Sequence, residues 1–334
     1  MKLLTHIANA MLPQLESKFR RMGRPDQVQT IIDYHGRRHL SKEKDVGWRT
    51  KRDRATVIHA AISLLEIENI LKISQKHISK IIGIWADQGI APATFQTRMS
   101  HLRWFAAAIG RGGMVRDVTY YGYPASLTER TYAAVTSKSF EGNGLVAAEI
   151  ILAVADDDEF VACQLEGQLL FGLRTTESML FRPDENIEGN CLVIKHGTKG
   201  GRTRIINITT GAQRDWLVRA AVLAKATERG NLIPAGSTYK SSRNHRNYIV
   251  RKHGLTKAAL GVVAHGLRAQ YAEARYEAVS GTPAPTRGGQ DVPLAQDEAA
   301  RRAVSRELGH SRQGIAAAYV GARPSRCGSL PPSI

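Results

Sequence analysis

One run in this chain switches to strand character where the periodic segments around it are helical, and it limits the fold more than any other stretch. In "CLVIKHGTKGGRTRIINIT" (191–209) two β-rich runs flank a glycine-containing turn, the pattern of a hairpin. Elsewhere the spacing is helical. In "SQKHISKIIGIWADQG", Ser74 stands at the cap, Ile78, Ile81, Ile82 and Trp85 share one face, and Gly89 is placed to end the helix. "APATFQTRMSHLRWFAAAIGRGG" follows, with Pro92 near its start, Phe95, Met99, Leu102 and Ala106 on one stripe, and Gly110 just past its end. "RATVIHAAISLLEIENIL" is helical by the same test. The expected fold class is mainly α with a small β-hairpin or sheet.

The helical segments of the first third suggest a small bundle with short loops. From Thr119 to Phe140 the periodicity weakens while Tyr, Gly, Pro and Ser accumulate. We read a connection there, separating a helical domain (1–125) from a second domain (126–334). The second domain opens with "GLVAAEIILAVADDDEFVACQLEGQLLFGLRTTESMLF", two helices broken at Asp156–Asp158, whose carboxylates suit a helix start. Residues 278–297 are rich in Pro and Gly and read as a long surface loop.

Charge narrows the partner. Lys and Arg outnumber Asp and Glu by 47 to 30, and residues 1–120 hold 20 basic against 10 acidic side chains. That surplus fits a polyanion, with nucleic acid as the first candidate, and fits a merely basic globular protein equally well. Thr94, Gln96, Arg98, Ser100, His101 and Arg103 form the polar face of the 92–109 helix, suited to phosphates and base edges or to solvent. "WRTKRDR" (48–54), with Arg52 and Arg54, suits a phosphate backbone or a charged loop. No window approaches the ~18 apolar residues of a membrane span, and the N-terminus lacks a signal-peptide cleavage site. Cys163, Cys191 and Cys327 are far apart, which supports neither a disulfide framework nor a zinc site and makes a reducing cytoplasm the simplest compartment.

Four groups in the second half carry chemistry together. Arg174, in "GLRTTE", lies in an apolar setting and needs an anion, which Glu177 can supply as a structural pair. Lys199 sits at the hairpin tip, where it can reach into a groove or simply face solvent. His265 and Arg268 stand three apart in "AHGLRAQYAEARY" and share a helical face. His310 precedes a short helix that Ser311 could cap, and Ile315 and Tyr319 share a face of it. Taken singly, each histidine or tyrosine also reads as core packing.

In order and spacing these groups resemble the tyrosine recombinase (phage integrase) family. "GLRTTE" resembles its first Arg box, "HGLRAQYA" its HxLRHxxA box, and "ELGHSRQGIAAAY" its LGH box with a tyrosine nine residues after the histidine. The resemblance spans Leu169 to Tyr319 and reaches the N-terminal bundle by general design. It implies a helical core-binding domain and an α+β catalytic domain that cleaves and rejoins DNA through a 3′-phosphotyrosine. Tyr319 would be the nucleophile, and Arg174 and Arg268 would hold the non-bridging oxygens. His265 and His310 would donate or accept protons, and Lys199 would protonate the leaving 5′ oxygen, without metal, ATP or other cofactor. Arg52, Arg54, Arg98, His101, Arg103 and Arg202 are the expected DNA contacts. The implied partners are double-stranded DNA target sites, a homotetramer on two sites, and accessory directionality or bending proteins.

Two departures accompany the match. Ala269 stands where the family often has a second histidine, which reduces support without emptying the site. The Arg268–Tyr319 interval is lengthened by residues 278–297. A type IB topoisomerase-like relaxing enzyme and an inactive integrase-like DNA-binding protein are the competing readings.

Overall fold

The computed structural model describes residues 3–290, 292–310 and 312–323, apart from the side chains of Lys199 and Gln313. It divides into two compact units, Met1–Arg130 and Thr131–Ile334.

The first unit is built on α1 (Leu3–Phe19), α2 (Arg24–His35), α3 (Trp48–Ser63), α4 (Gln75–Asp87) and α5 (Pro92–Ala108). The apolar stripes of α4 and α5 form its core: Ile78, Ile81, Ile82, Trp85, Phe95, Met99, Leu102 and Ala106 are all buried. Trp85 meets Phe95 edge to face at 6.2 Å. Gly89 and Gly110 follow the two helices at φ +59° and +77°, the left-handed conformation that ends a helix at little cost to glycine.

The reading of 48–71 needs correction. "WRTKRDR" is the first two turns of α3 rather than a loop, and the helix stops at Ser63 instead of running to Leu71. Gln27 accounts for the stop. It is buried, donates to Met22 O (2.8 Å) and Glu68 O (2.9 Å), and accepts from Ile70 N (3.0 Å), so the backbone after α3 bonds to a side chain rather than to itself.

The second unit begins with α6 (Ala147–Ala155) and α7 (Glu159–Phe171), and the Asp158 carboxylate caps α7 by accepting from Val161 N at 2.8 Å. Short helices α8 (Thr175–Met179) and α9 (Pro183–Asn186) lead into the sheet. Its strands are β1 (Ile187–Glu188), β2 (Cys191–Ile194) and β3 (Arg204–Asn207), antiparallel in the order β1-β2-β3. The hairpin β2–β3 pairs Leu192 with Ile206 and Ile194 with Arg204, and β1 is one strand more than the sequence suggested.

After the sheet come α10 (Gly211–Lys225), α11 (Tyr239–Lys252), α12 (Lys257–Leu260), α13 (Gly266–Ser280), α14 (Leu294–Glu307) and α15 (Ala317–Val320). Helix α13 packs against α7, α14 and α15, so it is the element around which the catalytic-type residues gather. The expected 278–297 surface loop is shorter and more embedded than its composition implied. α13 continues to Ser280 and α14 begins at Leu294, while Ala284 between them is fully buried. Among the described residues, no helix is long and apolar enough to cross a membrane.

Candidate active site

The site is organised by a carboxylate. Helix α8 starts immediately after Arg174, and Glu177 in its first turn reaches back to the Arg174 backbone N–H at 2.6 Å. The same carboxylate accepts from Arg174 Nη1 (2.5 Å) and from Arg204 Nη1 (2.6 Å), and lies 3.9 Å from Arg268 Nη1. Burial works to raise the Glu177 carboxyl, but the charges of Arg204 and Arg174 and the hydrogen bonds they make hold it below the usual carboxylate range. One enclosed anion therefore orients three guanidinium groups.

Two backbone carbonyls complete the frame. Leu308 O accepts from Arg174 Nη2 (3.0 Å) and Arg268 Nη2 (2.7 Å). Gly172 O, where α7 ends, accepts from Arg268 Nη1 and Arg204 Nη2. Burial lowers the Arg268 guanidinium to about 10, which leaves it charged at neutral pH. Gly309 has φ +69°, and a Cβ there would stand 3.1 Å from Arg204 Cδ, so glycine after Leu308 lets the chain turn tightly against the arginines. Behind Leu308, buried Glu307 accepts from Tyr271 Oη (2.7 Å) and Arg275 Nε (2.9 Å), which fixes the end of α14.

Tyr319 sits on α15 and accepts a hydrogen bond from Arg268 Nε at 3.3 Å. Its ring is 6.1 Å from the His265 ring and 6.1 Å from the His310 ring. His265 occupies the cap position of α13, and Arg268 follows in the first turn. Burial, followed by the charges of Arg268, Arg174 and Lys138, depresses the His265 imidazole below its ordinary value, so it is neutral and able to take a proton at pH 7. Five of the six expected residues, Arg174, His265, Arg268, His310 and Tyr319, thus stand around one point.

Lys199 lies in the short turn Lys199–Gly201 between β2 and β3, and its side chain is outside the description. Ser311 and residues 324–334 are outside it as well. Ala269 is buried beside Arg268. Exposed Arg202 lines a cleft of about 920 Å³ together with Arg302, Arg306 and His310.

The expected DNA contacts of the first unit separate into two groups. Arg52 is exposed on α3. Arg98 is half-buried over the Trp85 ring at 5.5 Å, and half-buried His101 is depressed by burial and by the Arg54 charge. Arg103 is engaged with Asp117 at 2.6 Å. Arg54 is not a surface residue at all. It is buried 4.4 Å over the Trp104 ring and donates to Gly36 O (2.7 Å) and Arg38 O (2.9 Å), because it lies on the same face of α3 as buried Ile58, Ala61 and Ile62.

Sequence reasoning missed Arg204. The signal was present: β3 alternates Arg204 and Ile206 inward with Ile205 and Asn207 outward, and an inward arginine demands an anion.

Comparison with known proteins places the chain by family and fold. The family profile described as "Integrase" matches residues 129–274, and the profile "Phage integrase, N-terminal" matches residues 37–115. No curated protein matches the chain. Among solved structures, a lambda integrase (75–356) dimer bound to a COC′ core site superposes with TM-score 0.58 at 14% identity, covering 91% of this chain and 99% of that one. The Tn1549 transposon integrase (aa 82–397, R225K) with a circular intermediate DNA gives 0.55 at 12% identity, covering 87% and 94%. XerH site-specific recombinase on palindromic difH substrate gives 0.53 at 14% identity, covering 88% and 80%. At these identities the likeness concerns the fold.

Proposed function

Because this chain belongs to the phage integrase family, we propose that it is a site-specific DNA recombinase in which Tyr319 is the nucleophile. The observation that carries the reading is the contact from Arg268 Nε to Tyr319 Oη, made while Arg268 and Arg174 hold the same Leu308 carbonyl. A cation placed on the phenol oxygen favours the phenolate that forms as the proton leaves, which activates it as a nucleophile.

In the proposed step, Tyr319 Oη bonds to the scissile phosphorus as the bond from phosphorus to the 5′ oxygen breaks. The phenol proton passes to neutral His265, and the 5′ oxygen takes a proton from Lys199. Arg174 and His310, with Arg268, donate to the non-bridging oxygens, where a planar guanidinium fork fits phosphate best. The 3′-phosphotyrosine conserves the bond energy, so attack by a second strand's 5′-hydroxyl restores the phosphodiester without metal or ATP. By analogy with the lambda integrase tetramer bound to a Holliday junction, the working assembly is a tetramer on two DNA sites.

A nicked suicide DNA substrate containing the target site, incubated with EDTA, tests the reading. The expected result is a covalent protein–DNA adduct that disappears in Tyr319→Phe while DNA binding persists. No adduct on the correct site overturns it. Relaxation of supercoiled DNA without exchange between paired sites would favour a topoisomerase-like activity instead.

A further inference from the structure

A second buried carboxylate, remote from the chemistry above, holds together the elements that touch the tyrosine helix. Glu273 lies on α13, five residues beyond Arg268, and is 1% exposed. It accepts from Ser137 Oγ (2.8 Å) and Ser139 Oγ (2.7 Å), which belong to the irregular segment 131–140 that opens the second unit. It also accepts from Thr286 Oγ1 (3.0 Å), in the segment between α13 and α14. A buried carboxylate bonded to three hydroxyls from two separate loops is an expensive arrangement unless those loops must be fixed.

Both loops lie against α15 or the residue that follows it. Ala134 N–H donates to Ala317 O at 2.8 Å, two residues before Tyr319. At the other end Gly321, at φ +89°, is pinched between the loops: a Cβ there would stand 3.1 Å from Thr286 Cγ2 and 3.3 Å from Ala134 O. The 131–140 segment also touches the histidine side of the site. A Cβ on Gly266, directly after His265, would come within 2.4 Å of Lys138 O. A helix of four residues has almost no stability of its own, so its neighbours must fix the direction of Tyr319.

We propose that Glu273 is a positioning residue for Tyr319, acting through Ser137 and Ser139 on one side and Thr286 on the other to clamp both ends of α15. This rests on the reading of Tyr319 as nucleophile, yet the clamp itself can be tested without catalysis. In the purified full chain without DNA, amide hydrogen exchange of residues 315–321 is compared in wild type, Glu273→Ala, Glu273→Gln and the Ser137→Ala/Ser139→Ala double variant. Exchange there should rise at least tenfold in Glu273→Ala and in the serine double variant, and less in Glu273→Gln, which retains one acceptor oxygen. The adduct rate on saturating suicide substrate should fall at least tenfold in the same order, with DNA affinity unchanged within twofold.

Exchange that stays at the wild-type level, or that rises equally across α13 and α14, overturns the proposal, because the contact would then be merely structural. If wild type forms no adduct, the nucleophile reading fails, and the exchange pattern alone still decides whether Glu273 clamps α15. The serine double variant removes no charge, so it separates clamping from any collapse caused by losing the carboxylate.

Discussion

Arg204 and Glu177 close on one another out of solvent, Nη1 to Oε1 at 2.6 Å, with side chains 2% and 0% exposed. The pair does more than stabilise β3 against α8. Glu177 is also the anion for Arg174 and lies 3.9 Å from Arg268, so the enclosed pair sets the direction of both arginines assigned to the phosphate.

Removing the anion from such a cluster leaves uncompensated buried charge, which costs roughly 3–5 kcal/mol. Glu177→Gln, which strips Arg204 of its counter-ion, is therefore expected to lower unfolding stability by about that amount, to reduce the adduct rate and to lose acid sensitivity. Arg204→Met should also reduce the adduct rate but cost less stability, about 1–3 kcal/mol, because Arg174 still neutralises Glu177. The Glu177 carboxyl is held low in the fold, so its contribution is present above the ordinary carboxylate pKa and is lost as pH falls through the lowered value. Urea titrations at neutral and acid pH check both variants. A stable Arg204→Met protein with wild-type cleavage would remove Arg204 from the site.

Arg52 and Arg54 stand two residues apart on α3 and should behave oppositely. Arg54→Met loses two charge-assisted bonds to backbone carbonyls and the stacking on Trp104, and is expected to cost about 2–3 kcal/mol of stability. Arg52→Ala should leave thermal stability unchanged, weaken DNA binding, and reduce the slope of log affinity against log salt by about 1. Melting curves and salt-dependent DNA titrations separate the two. An Arg52→Ala protein with the wild-type salt slope would take that residue off the DNA surface.

What the sequence made legible follows from how local each signal is. The stripes of α4 and α5 are visible because a 3.6-residue period needs only a dozen neighbours, and their glycine stops need only one residue each. The gathering of Tyr319 with Arg174 and Arg268 was readable only through the order and spacing of the motifs, since residues so far apart in the chain share no periodic signal. The start of α3 was hidden because basic residues mask a helix whose buried face is carried by Arg54, Ile58, Ala61 and Ile62. Glu273 gave no local sign, because its partners Ser137 and Ser139 lie more than 130 residues away. Composition exaggerated the loop after α13, since Pro and Gly reveal turns but not that Ala284 would be buried.

The pH dependence of cleavage should report His265. Burial and the neighbouring Arg268, Arg174 and Lys138 hold its imidazole below the ordinary 6.5, so the base form is already present through neutral pH. The single-turnover adduct rate is expected to be flat from pH 6.5 upward and to fall only below that value, as the proton His265 should receive is already bound. His265→Gln should be slower by roughly 10²-fold or more and lack this acid limb. An acid limb centred above pH 6.5, or one that survives in His265→Gln, would assign the base elsewhere.

A second histidine should make the first unit acid-labile for a reason unrelated to catalysis. His35, in the last turn of α2, is 0% exposed, and both its ring nitrogens are buried without a hydrogen-bond partner. Burial, reinforced by the Arg38 charge, lowers it from 6.5 to about 4. Because the folded value lies below the unfolded one, the unfolded chain binds the proton first, so stability is complete above about pH 6.5 and is lost as pH falls toward 4. The shift corresponds to about 2 kcal/mol lost between pH 7 and pH 5. His35→Met fills the same space without an ionisable group or unmet polar atoms. It should be as stable as wild type or more so at pH 7 and should flatten the decline. Urea midpoints by circular dichroism at the two pH values measure the difference, and equal acid losses in wild type and His35→Met would show that other groups carry the sensitivity.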